Sequence, residues 1–249
     1  MAEMYESSAM AHIVETQWKK WLQLTQQKPG KAPEPYPTVT ISRERGSGGS
    51  SIAGLVADHL GFVLFDSQIV DHVARSANVD RAVVEHMDEQ SRHRIEEWTQ
   101  RVLRHRKFST QVYLSHLAKT ISAVGDKGQA VVIGRGAHLL LSVERCFRVR
   151  VIAPLEIRIQ RLSAKSSIGI LEAETIIAET DRQRAKFIQE NFGQSDSDPL
   201  LFDLVINTGQ IALETAGELV VRAVEAKFPQ VIQARSATHR TQPRSGPEF

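Results

Sequence analysis

Apolar positions along the chain collect in five short, nearly unbroken runs, separated by stretches where they recur every three or four residues. The runs are Thr38 to Ser42, Phe62 to Asp66, Ala130 to Ile133, Phe147 to Ala153 and Asp203 to Asn207. A strand covered on one face alternates apolar and polar side chains, whereas runs this continuous belong to strands covered on both. The helical spacings between them supply the cover, beginning with Ile52, Val56 and Leu60 beside Ala53 and Ala57. The pattern predicts an α/β protein with a five-stranded parallel sheet and helices on both faces.

The ends of the chain read differently. From Ser8 to Gln26, Val14, Trp18, Trp21, Leu22 and Thr25 share one side of an amphipathic helix, so residues 1–27 are expected to dock a protein partner or a second copy of the chain. Residues 28–37 hold four prolines and are expected to form an extended tether. The main domain is expected over 38–228, and within it residues of about 79–125 read as a long helical insertion. Its His86, His93, His105 and His116 lack the spacing of metal ligands. Residues 229–249, with Arg235, Arg240 and Arg244 and little to bury, are expected to be disordered.

Composition narrows the function classes. The 249 residues include 31 Lys and Arg against 29 Asp and Glu, and a net charge of +2 gives no general coat for nucleic acid. The apolar run Ala137 to Val143 contains Ser142 and is far short of a bilayer span, and no charged-then-apolar signal opens the sequence. The single cysteine, Cys146, has no internal disulfide partner. A cytoplasmic protein without membrane segments is the expectation.

The first run leads into Ser42-Arg43-Glu44-Arg45-Gly46-Ser47-Gly48-Gly49-Ser50-Ser51, and a helix follows at once. Strand, glycine loop and helix form an anion site, because successive N–H groups converge without Cβ clashes and the helix end adds partial positive charge. Ser50 or Ser51 is placed to cap the helix. A dinucleotide fingerprint is the competing reading, with Asp66 at the end of the second run. Against it, Ser51 stands at the third glycine position, and Ser42 to Arg45 separate strand from Gly46.

The run from Thr38 to Val70 resembles the opening of the cytidylate kinase-like family of P-loop kinases. The resemblance continues in order through Gly134-Arg135-Gly136, Val151 to Arg158, Asp181 to Arg184 and Phe202 to Thr208. It implies the P-loop nucleoside monophosphate kinase fold, with an acceptor-side helical insertion and a lid over about 158–187. It also implies an ATP- and Mg²⁺-dependent phosphotransferase acting on a nucleoside monophosphate or related small phosphate acceptor. In that reading Gly46, Ser47, Gly48, Gly49, Ser50 and Ser51 cradle the ATP phosphates, and the Ser51 hydroxyl joins the Mg²⁺ shell.

Laid over the family pattern GPSGAGKGT, Arg43 stands at the first glycine and Gly49 at the lysine. The lysine normally offsets charge during transfer, so Arg43 and Arg45 become candidate replacements. The resemblance places Asp66, Ser67 and Arg135 around the acceptor, although Asp66 at a helix start also reads as a cap. An Asp that follows the arginine in the relatives is Gly136 here, which removes a cytosine contact. Arg158, Arg161, Arg182 and Arg184 are the expected lid cations. The alternative function is a nucleotide-binding sensor or adaptor that has lost turnover, suggested by Gly49 and by the tethered tryptophan helix.

Overall fold

The computed structural model describes residues 16–23, 36–75, 93, 95–97, 108–229 and 231. Five strands form one sheet: β1 (Thr38–Arg43), β2 (Val63–Phe65), β3 (Ala130–Ile133), β4 (Cys146–Ile152) and β5 (Leu204–Asn207). All pairings are parallel, in the order β2-β3-β1-β4-β5. Each strand lies within one residue of its apolar run, and the α/β class is as the pattern predicts.

Strand periodicity divides the core into two layers. Val39, Ile41, Val131, Ile133, Val149 and Val151 point to one face, where α1 (Gly49–Leu60) and a helix near the end of the described chain, Leu213–Lys227, cover them. Ala130, Val132 and Cys146 point to the other, beneath α2 (Ser67–Arg75), α3 (Phe108–Lys127) and the short α4 (Ala137–Leu140). A helical pair, α5 (Leu155–Ser166) and α6 (Ile170–Phe192), follows β4 and packs through Leu162, Ala173 and Ile177. The helix Leu213–Lys227 is α7.

Residues 16–23 are helical, and their aromatic face lies on the chain's own core. Trp21 is buried, meets Phe65 edge-on with ring centroids 5.7 Å apart, and donates its indole N–H to the Gly128 carbonyl at 2.9 Å. The remainder of the expected 8–26 helix lies outside the described residues, as do residues 28–35 of the tether, His86, His105 and the tail beyond Val231. Residues 93 and 95–97 and all of α3 are helical within the expected insertion. Among the described residues no helix is long and apolar enough to cross a membrane.

Candidate active site

The site lies where ligands of open parallel sheets collect, at the carboxyl ends of the strands. β1 enters the glycine loop beside β4, whose Val151 carbonyl accepts from the Glu44 N–H at 3.1 Å. The Glu44 carboxylate accepts from the Ala153 N–H at 3.1 Å, so the loop is fastened on that side. Ser47 is fully buried: its hydroxyl donates to the Glu44 carbonyl at 2.9 Å, and its own carbonyl accepts from the buried Thr208 hydroxyl at 2.7 Å. Its side chain is therefore a brace under the loop.

The helix cap corrects the sequence expectation. Gly48, in the left-handed region, is the N-cap of α1, and no side chain caps the helix. Ser50 and Ser51 stand two and three positions past the cap and are exposed on the first turn of the helix. The first amides of α1 are left for an anion. They face a cavity of about 580 Å³ lined by Arg43 to Gly46 and Gly48 to Ser51 of the loop and by Arg161, Lys165, Arg184 and Leu213. Ser51 is thus placed for one hydroxyl ligand. Among the described residues no cluster of three acidic, His or Cys groups could hold a metal by itself. Mg²⁺ carried by phosphates needs no such cage, because it keeps waters and takes one or two protein oxygens.

The expected lid arginines divide in two. Arg158 donates to Asp181 at 2.5 Å and to the Arg45 carbonyl at 3.3 Å, while its Nε stands 3.5 Å from Glu44. Asp181 also accepts from the Arg45 N–H at 2.7 Å and lies 3.6 Å from Arg184. Arg184 donates to the Arg43 carbonyl at 3.0 Å. Arg161 donates to the Thr208 hydroxyl and carbonyl at 2.9 and 2.8 Å, tying α5 to the end of β5. Arg182 does not belong with them: it forks onto Glu179 at 3.0 and 2.9 Å on the solvent side of α6. At 100° per residue it is turned about 200° from Arg184, so the two cannot face the loop together. The expectation of a catalytic Arg182 is corrected accordingly.

A smaller cavity of about 240 Å³ adjoins the first and shares Arg43 and Arg184 with it. Ser67, Arg135, Gly136, His138, Phe187 and Asp196 also line it. Asp66 is not in its wall: one carboxylate oxygen accepts from the Gln68 and Ile69 N–H groups at 2.9 Å each, the cap of α2. The capping reading of Asp66 therefore holds. Arg135 reaches the cavity, but its fork lies on Asp71, with Nε 2.7 Å from that carboxylate and Tyr113 donating to the same oxygen at 2.7 Å. Burial opposes the charge on Arg135, and the Asp71 hydrogen bonds outweigh it and raise the pKa. A Cβ on Gly136 would collide with the Phe192 ring, which fills the space an Asp would need. Asn207 turns back to accept from the Gly209 N–H at 2.9 Å and does not face the cavity.

His138 is buried, stacks on Phe202 with centroids 4.8 Å apart, and leaves Nε2 without a partner. Burial, with Arg150 and Arg148 nearby, pushes its pKa down to about 4. The unfolded chain binds a proton near pH 6.5 that the native state refuses, so stability falls as pH drops from there towards 4. A span of this size corresponds to about 3 kcal/mol. Urea midpoints measured between pH 7 and 4 should fall more steeply for the native protein than for His138→Phe; parallel slopes would show that other groups dominate.

Sequence reasoning missed Asp71, Thr208 and Asp181 as organising groups, although Asp181 and Thr208 lay within the motifs it singled out. The model of the cytidylate kinase-like family matches residues 38–210. The chain belongs to the cytidylate kinase-like family. A cytidylate kinase of Staphylothermus marinus is 34% identical over 101 residues, 40% of this chain and 56% of that protein. A uronate isomerase of Corynebacterium glutamicum is 32% identical over 110 residues, 44% of this chain and 21% of that protein. The chain thus spans about half the length of one and a fifth of the other. An uncharacterised protein from Eubacterium ventriosum shares the fold, with a TM-score of 0.61 at 19% identity over 76% of this chain and 98% of that one.

Proposed function

We propose that the chain transfers the γ-phosphoryl group of ATP to a nucleoside monophosphate or a related small phosphate acceptor. The observation that carries this reading is the pair of adjoining cavities that share a wall of two guanidinium groups, Arg43 and Arg184. A donor on the loop and an acceptor over β3 would present their phosphates to the same cations, the positioning that phosphoryl transfer chiefly requires.

The α1 amides bind the donor phosphates in the larger cavity. Ser51 would hold Mg²⁺ through its hydroxyl, and the ion would supply neutralisation of the phosphate charge. Arg184 reaches both cavities from α6, and Arg158 and Arg161 hold α5 against the loop, which fits a lid over 158–187 that excludes water. Phe187, under the Arg135 guanidinium at 5.8 Å, offers the acceptor an apolar wall. Phe192 closes the space beside Gly136, so the acceptor's ring is recognised without the carboxylate that the family pattern carries there.

Diphosphate production from ATP and Mg²⁺ across CMP, dCMP, UMP, AMP, GMP and dTMP tests the proposal, with binding followed in the same samples. Turnover on one acceptor, reduced about 10-fold or more in Ser51→Ala, is the expected outcome. Saturable binding with no product on any acceptor would favour the sensor reading, for which the missing loop lysine at Gly49 is the specific support.

A further inference from the structure

Gly49 and Gly134 lie 85 residues apart in sequence, and both lie against one side chain. A Cβ built on Gly49 would stand 2.5 Å from Arg43 Cβ and 3.0 Å from Arg43 Cγ. A Cβ on Gly134 would collide with the Arg43 guanidinium at Nη1. Gly134 also adopts φ 75°, a region that side chains rarely occupy. Side chains are thus missing at both ends of the path that Arg43 follows from the strand to the junction of the two cavities.

Among the described residues the guanidinium has no dedicated acidic partner. Arg43 Nε is buried and has no hydrogen-bond partner, and no ion pair is formed by this residue among the described contacts. Arg184, anchored to the Arg43 carbonyl, closes on it from α6. Burial first, then the charges of Arg184, Arg135 and Arg45, push the Arg43 pKa down to about 9, with Asp66 opposing them. It remains a cation at neutral pH, crowded by like charges that a polyanion between the cavities would relieve.

The exchange is reciprocal. The loop pattern that this chain resembles has glycine where Arg43 stands and lysine where Gly49 stands. Both positions are inverted here, and the 2.5 Å approach explains why one excludes the other. We propose that Arg43 supplies the phosphate-facing cation of the loop, entering from the strand end and running between Gly49 and Gly134 to the boundary of the donor and acceptor cavities. Contact with the transferred group rests on the phosphotransferase reading above; contact with a bound phosphate chain does not.

The test uses the full chain, with calorimetric titration of inorganic tripolyphosphate and of Mg·ATP, and with phosphoryl transfer to the acceptor that the nucleotide panel identifies. The variants are Arg43→Gln, Arg43→Lys, Gly49→Lys and the double exchange Arg43→Gly with Gly49→Lys. Arg43→Gln should weaken tripolyphosphate binding about 10-fold or more and slow transfer by about 10²- to 10³-fold. Arg43→Lys should recover more of the binding than of the rate, because an ammonium cannot fork between two phosphates. Gly49→Lys alone should bind weakly and melt early through overlap with Arg43, and the double exchange should recover binding to within about 10-fold of the native chain, a strongly non-additive pair.

Tripolyphosphate binding by folded Arg43→Gln within about twofold of the native chain would overturn the proposal. So would a folded double exchange that binds no better than Gly49→Lys, a comparison that decides the matter even if Arg43→Gln fails to fold. The kinase reading fails separately: a native chain that binds tripolyphosphate through Arg43 yet phosphorylates no acceptor would retain the anion site and remove the transfer step.

Discussion

Trp21→Ala is expected to lower the unfolding free energy by about 3–5 kcal/mol, the cost of truncating a fully enclosed indole when its surroundings cannot collapse into the space. Trp21 is 1% exposed, belongs to the same apolar cluster as Val63, Phe65, Val124 and Val132, and sits 5.0 Å from Trp18. Its loss also removes the donor to the Gly128 carbonyl, in a turn where Gly128 has φ 68° and a Cβ would overlap the Tyr36 backbone. Trp18→Ala should cost less, because that ring is only partly buried and borders the cluster. Urea denaturation of the two variants checks the ranking. Equal and small losses would mean that the helix at 16–23 is an appendage rather than part of the core.

Asp181→Asn is expected to separate binding from turnover. One carboxylate joins the Arg45 N–H, Arg158 and Arg184, so it links the loop, α5 and α6 through a single group. The amide keeps the shape and removes the charge, leaving three guanidinium groups with less negative charge among them. Affinity for inorganic tripolyphosphate should rise about 3-fold or more, since the anion no longer competes with Asp181. Turnover in the nucleotide assay should fall about 10²-fold, because arginines that are no longer held at the loop must be ordered in each transition state. The stability cost should stay near 2 kcal/mol, as Asp181 is 29% exposed and water screens part of the interaction. A parallel fall in affinity and rate would instead make Asp181 a simple structural brace.

Strands β1 to β4 were legible because both of their faces are largely covered: burial on two sides leaves a continuous apolar run, which needs no knowledge of the neighbours; at the edge strand β5 the same kind of run leaves Val205 exposed. The glycine loop was legible for a similar reason, since its conformation is encoded within ten residues. The partners of its arginines were not. Arg135 meets Asp71 from 64 residues away, and Arg158 meets Asp181 on the next helix, pairings set by sheet order and helix packing that periodicity does not contain. Arg182 is the instructive exception. Its orientation relative to Arg184 follows from helix geometry alone. The tryptophan face at 16–23 was visible as a pattern, whereas the surface it covers depended on where β2 and α3 come to lie.

The order of the sheet also bears on how the chain is made. β1 is the first of the five strands to leave the ribosome and the central one in the finished sheet, paired with Ala130–Ile133 on one side and Cys146–Val151 on the other. Roughly a hundred residues must therefore be synthesised before its hydrogen-bonding edges find both neighbours, and such long-range closures are slow. Throughout that interval Val39 and Ile41 lack both neighbouring strands and the cover of α7, so the nascent chain, more than the folded protein, is the form most open to capture by chaperones.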